Sequence, residues 1–217
     1  SFVDKALFRA ANSYYKLHDY RSAAENYALF IGKYPQSENI CESYFNAAMS
    51  YKRMEDMDNA KKMYLGLIEK MQGCKLYERA QMNLAYLHQD LKEYSEAIKL
   101  FEKIASEKGK KAAEALFWIG DIYQAQGDDT KAAAAFTRVY DNFPGEETWF
   151  VPALDAAGKI YEKQGDLKSA IAAYKKIIKS AKDPKYTDVA KKKAALLEEQ
   201  YKLMNPAPAV KPAGVAK

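Results

Sequence analysis

The sequence predicts an all-α protein built from five helix-turn-helix units and one further helix. Three recurrences predict it. Small residues return at Ala23, Ala60, Ala97, Ala132 and Ala170, with spacings of 37, 37, 35 and 38 residues. An aromatic residue follows each of them by four positions: Tyr27, Tyr64, Phe101, Phe136 and Tyr174. Upstream of each, a second small residue recurs at Ala11, Ala48, Ala85, Gly120 and Gly158, and three positions later stands Tyr14, Tyr51, His88, Tyr123 or Tyr161. Self-similarity at such a period is the mark of a stacked repeat array, in which each hairpin buries its apolar face only against its neighbours.

Each element follows from this frame. Apolar residues at helical spacing place helix pairs near 2–17 and 20–34, 38–54 and 57–72, 75–90 and 93–107, 110–126 and 129–142, and 147–164 and 167–181. Small residues let paired helices approach, and the aromatic fills the space beside them. Gly127-Asp128 and Gly165-Asp166 punctuate the hairpins, because Gly suits a left-handed C-terminal cap and Asp an N-cap. A last helix near 185–204 carries Val189, Ala190, Leu196, Leu197 and Tyr201 on one side and Lys/Glu on the other, as an end cap requires. The stretch from Asn205 to Lys217 is Pro/Ala-rich and expected to be disordered. The expected divisions are 1–37, 38–74, 75–109, 110–145 and 146–183 for the five units, 184–204 for the capping helix and 205–217 for the tail.

Composition excludes several function classes. Apolar residues make up 48% and charged residues 29% of the 217, enough for a core. No run approaches the roughly 18 apolar residues of a membrane span. Ten Gly leave little room for a phosphate loop, and two His in separate units make no metal site or catalytic pair. No enzyme, cofactor or metal is expected. The formal charge of +5 is uneven: residues 168–203 hold ten Lys against Asp183, Asp188, Glu198 and Glu199. Without Arg clusters or basic–aromatic interleaving, this reads as a solvated capping face rather than a nucleic-acid surface.

The repeat resembles the tetratricopeptide repeat (TPR). The best unit reads Leu116-Phe117-Trp118-Ile119-Gly120-Asp121-Ile122-Tyr123, then Gln126-Gly127-Asp128, Ala132, Phe136 and Pro144. The resemblance implies a right-handed superhelical solenoid whose concave face binds protein segments. The junctions Tyr34-Pro35-Gln36-Ser37 and Phe143-Pro144 resemble those of bacterial envelope TPR proteins, the Tol–Pal-associated periplasmic protein and the BamD-like outer-membrane lipoproteins. That resemblance implies a periplasmic or outer-membrane-associated adaptor, with a cytoplasmic scaffold as the alternative. Any membrane association is expected through a segment ahead of Ser1 or through the partner, and the chain itself is expected to be a monomer or weak oligomer.

Carried onto this sequence, the concave slots fall on Phe8, Asn12, Tyr15, Phe45, Asn46, Met49, Arg79, Met82, Asn83, Tyr86, Phe117, Trp118 and Asp121. Aromatics and Met give adaptable apolar contact, and Asn can grip a peptide backbone, so an extended peptide or a helix is the expected ligand. The dicarboxylate clamp of chaperone-binding TPRs is incomplete, since Phe8 and Asn83 stand where cations belong. Cys41 and Cys74 bracket the second hairpin; a disulfide between them and a pair of free thiols both remain open. The function expected is a non-catalytic adaptor; the alternative is a self-assembling scaffold or the regulatory array of a larger protein.

Overall fold

The computed structural model describes residues 2–107 and 109–206. The expected tail lies outside the described residues from position 207 onward. Among the described residues the chain forms eleven α-helices and no strand: α1 (Phe2–Lys16), α2 (Tyr20–Lys33), α3 (Ile40–Arg53), α4 (Met57–Lys70), α5 (Tyr77–Asp90), α6 (Tyr94–Ser106), α7 (Ala112–Ala125), α8 (Asp129–Asn142), α9 (Glu147–Lys163), α10 (Leu167–Ser180) and α11 (Pro184–Met204). None is long and apolar enough to cross a membrane. The chain divides into two compact units, Ser1–Ala115 and Leu116–Lys217.

One turn recurs within every helix pair. His18, Glu55, Lys92, Gly127 and Gly165 all take positive φ, between 60° and 77°. The next residue returns its amide to the carbonyl five positions back: Asp19 to Tyr14, Asp56 to Tyr51, Glu93 to His88, Asp128 to Tyr123 and Asp166 to Tyr161. This is the bond pattern that ties off a helix C-terminus through a left-handed residue. The same Asp then starts the following helix, with its carboxylate accepting from the amide of Ser22, Asn59, Lys131 or Ser169. Glu93 takes this place in the third pair without capping. Its longer side chain meets Lys61 at 2.8 Å and His88 at 2.5 Å instead, linking α4 to the α5–α6 turn.

In the first unit the core is a ladder of small residues against rings. Ala11, Ala23, Ala48, Ala60 and Ala85 are fully buried, as are Tyr27, Phe30, Tyr64 and Phe101. Each buried ring contributes roughly 2–3 kcal/mol of apolar burial. Phe45 meets Tyr64 edge-on at 5.9 Å, and Tyr86 meets Phe101 at 5.6 Å. Cys41, at the start of α3, and Cys74, ahead of α5, have Cα atoms 6.4 Å apart and their sulfurs are joined as a disulfide.

The second unit uses Gly where the first uses Ala. A Cβ on Gly120 would lie 2.6 Å from the Phe136 ring, and one on Gly158 would lie 2.6 Å from Cζ of Tyr174. Phe117 joins Trp118, Phe136 and Trp149 in one aromatic cluster. Helix α11 packs through Ala190, Ala194 and Leu197, whereas Val189 and Leu196, expected on the same side, are exposed. Register explains the split. Lys193 follows Tyr174 by 19 residues and reaches its hydroxyl, as Asn83 does to Tyr64. In that register Lys191, Lys192 and Ala195 occupy the places that Tyr44, Phe45 and Ala48 hold in α3. Those three are core in α3, and all three are exposed in α11. The face on which another second helix would pack thus carries Lys191 and Lys192 in place of Tyr44 and Phe45.

Candidate functional site

Helices α1, α3 and α5 open a cleft of 580 Å³ in the first unit. Of the expected site residues it gathers Tyr15, Phe45, Asn46, Met49 and Arg79, and it adds Glu42, Lys75 and Leu76. Arg79 is exposed and its guanidinium lies 4.9 Å from the centroid of the Phe45 ring, a cation–π contact that holds the charge over an apolar floor. Lys75 faces Glu42 at 4.0 Å across the rim. These two residues are chain neighbours of Cys74 and Cys41, so the disulfide pins the rim from below.

The other expected residues are placed differently. Phe8, Phe45 and Met82 are core residues, 9%, 5% and 2% exposed, and of these only Phe45 shows an edge to the cleft. Asn12 and Asn46 are half-buried and share the Tyr27 hydroxyl. Tyr27 donates to Oδ1 of Asn12 at 2.5 Å, and Nδ2 of Asn46 donates to the Tyr27 oxygen at 3.4 Å. One repeat on, Nδ2 of Asn83 donates to the Tyr64 hydroxyl at 3.1 Å, and that hydroxyl donates to Sδ of Met49. The Asn46 and Asn83 bonds join consecutive pairs, and the Tyr27–Asn12 bond joins the two helices of the first pair. Tyr86 turns its hydroxyl to Glu114 at 2.6 Å. Phe117, Trp118 and Asp121 lie in the second unit, Phe117 and Trp118 within its aromatic cluster.

Burial pushes the Tyr27 and Tyr64 phenols up to about 12, although the Asn46 and Asn83 donors favour their ionised forms. In the second unit burial raises the Asp155 carboxyl, but hydrogen bonds from Lys159 and Lys193 outweigh it and leave the group below its ordinary value. Among the described residues no three His, Cys, Asp or Glu side chains gather as a metal site.

Sequence reasoning missed Glu42, Lys75 and Leu76. A signal was present for one of them: Glu42 lies four residues before Asn46, as Arg79 does before Asn83, so both occupy one repeat slot.

Family models described as tetratricopeptide repeat match residues 5–37, 42–69, 82–147 and 151–184. The chain belongs to the tetratricopeptide-repeat family. Among solved structures it is similar to MamA, with a TM-score of 0.59 and 18% identity over 96% of this chain and 98% of that one. It is also similar to YrrB, described as a TPR protein with an unusual peptide-binding site, with a TM-score of 0.53 and 20% identity over 86% of this chain and 90% of that one. A TPR protein from Parabacteroides merdae aligns with a TM-score of 0.52 and 15% identity, covering 97% and 96% of the two chains. At these identities the likeness is one of fold. No curated protein matches this chain.

Proposed function

We propose that this TPR protein is a non-catalytic adaptor that binds a segment of a partner protein in the α1–α3–α5 cleft, within a bacterial cell-envelope complex. The observation that carries the reading is the cleft's construction. Three successive first helices place an exposed cation, Arg79, over a ring with Met49 and Tyr15 beside it. Such a surface offers apolar contact for side chains and a charge for orientation, the combination that concentrates binding energy in a few residues. The peptide-binding description of YrrB supports the same use of this fold.

The envelope setting rests on two supports. One is the Tyr/Phe-Pro junction style at Tyr34-Pro35 and Phe143-Pro144. The other is the Cys41–Cys74 bond, since disulfides persist in oxidising compartments.

A photo-crosslinking residue at position 76, which lines the cleft, expressed in the source cells, tests the site. Covalent adducts with one partner are expected there and not at position 62 on α4. If that partner is captured equally by wild type and by a Lys75→Glu/Arg79→Glu variant, the cleft is not the site. Cell fractionation with intact mass under non-reducing conditions tests the setting. A fully reduced protein in the cytosol would remove the envelope reading while leaving the cleft intact.

A further inference from the structure

A second cleft, of 330 Å³, lies in the second unit between α9 and α11. Val151 and Pro152 form one wall, Tyr186 and Val189 the other, and Lys185 and Lys193 stand at its edge. It repeats the first cleft in register. Lys185, Tyr186 and Val189 precede Lys193 by eight, seven and four residues, as Lys75, Leu76 and Arg79 precede Asn83. Pro152 and Asp155 likewise correspond to Glu42 and Phe45. The chemistry differs: where the first cleft has Glu42 and Arg79, this one has Pro152 and Val189, so its walls are apolar.

We propose that the α9–α11 cleft docks an acidic amphipathic segment of a partner protein, seating an apolar side chain between Pro152 and Val189 and placing carboxylates against Lys185 and its neighbouring lysines. Three observations carry this. First, Tyr186 and Val189 are 40% and 51% exposed, large apolar groups left without cover in a cleft edged by lysines. Second, unpaired lysines stand around the mouth. Lys182, Lys185 and Lys192 have no carboxylate partner among the described residues, whereas most of the nearby acids are engaged, Asp183 by the backbone amide of Lys185. Asp155 is held by Lys159 and Lys193, Asp188 by Lys191, and Glu147 accepts the backbone amides of Lys182 and Asp183. Third, Pro152 sits inside α9 and has no N–H for the carbonyl of Thr148, which also lines the cleft. The ordinary helical bond from position 152 to that carbonyl is therefore missing. A phosphate polymer would find the lysines but would waste the apolar walls, so a protein segment fits better.

The test uses the full chain, isotopically labelled for amide NMR, and two synthetic peptides. One carries a Leu-Phe core flanked by glutamates; the other has the same charges with serine in place of the core. The first peptide is expected to shift amides around Val151–Asp155 and Lys185–Lys193. Its affinity should fall by about tenfold or more in Val189→Glu and in Lys185→Glu. Both positions are exposed, and unchanged thermal melting would verify that the variants fold. Arg79→Glu should leave this binding as it was, which separates the inference from the first-unit cleft. Absence of shifts at this site, equal binding by Val189→Glu, or equal binding by the serine peptide or by single-stranded DNA would each overturn it.

Discussion

Lys193 stands to the hydroxyl of Tyr174 as Asn83 stands to that of Tyr64 and Asn46 to that of Tyr27: 19 residues downstream and within 3.5 Å. Each contact joins the second helix of one pair to the first helix of the next. A slip of one helical turn would carry the donor about 5 Å away and break it, so the phenol sets the register in which pairs stack. In the last pair the donor becomes a lysine, which also engages Asp155 and lies 4.9 Å from the centroid of the Tyr174 ring.

Removing either partner of the Tyr64–Asn83 bond is expected to cost about 1 kcal/mol. Urea denaturation of Tyr64→Phe, Asn83→Ala and the double variant measures it. The double variant should lose clearly less than the two single losses together, because both remove the same interaction. Strict additivity would mean that the bond contributes nothing to folding.

Alkaline pH should destabilise the protein through its buried phenols. Tyr27 and Tyr64 titrate near 10.0 when unfolded and near 12 when folded. The folded state holds these protons more tightly, so their contribution is fully present below pH 10 and is lost as pH rises toward 12. Phenolate absorbance near 295 nm, recorded with helicity, should show ionisation and unfolding rising together in that window. The Tyr64→Phe variant should lose less stability across it than wild type does.

Gly120→Ala and Gly158→Ala are expected to destabilise by roughly 1–3 kcal/mol despite the better helix propensity of Ala. The added methyl would meet Phe136 or Tyr174, rings buried too tightly to retreat. The converse change, Ala48→Gly, should also destabilise, by about 1 kcal/mol, because that pair is already spaced for a methyl. Thermal melts compare all three. A rise in melting temperature for Gly158→Ala would show that α9 and α10 can separate at little cost.

Reducing the Cys41–Cys74 bond, or replacing both residues with Ser, should cost about 3–4 kcal/mol for a separation of 33 residues in the chain-entropy account. Melting with and without reductant reads the loss. Thiol titration of denatured, unreduced protein should find no free thiol, and two thiols per chain would remove this prediction.

Most of the architecture was legible because stacking imposes its demands at fixed spacing. A ring such as Tyr64 needs a small residue such as Ala48 opposite it, and both recur. The turns were half legible. Gly127 and Gly165 announce a left-handed residue, while His18, Glu55 and Lys92 adopt the same conformation without the residue type that signals it. The site was harder. Asn46 and Asn83 carry the chemistry of a peptide grip, and only the geometry between pairs shows their amide groups spent on Tyr27 and Tyr64. Helix α11 shows the same difficulty. Val189 and Leu197 look equivalent in an apolar tally, yet eight residues of helix turn them to different faces, and the packing of Ala190, Ala194 and Leu197 decides which face is inside.

The bond between Cys41 and Cys74 has a mechanical meaning as well. A load applied along the chain would pass from sulfur to sulfur and bypass α3 and α4. On the order of 100 Å of contour would stay wound while neighbouring pairs peeled away. Stretched between anchor points, such a protein would yield in steps at its other hairpins and keep the rim of the first cleft, at Glu42 and Lys75, the last part to come undone.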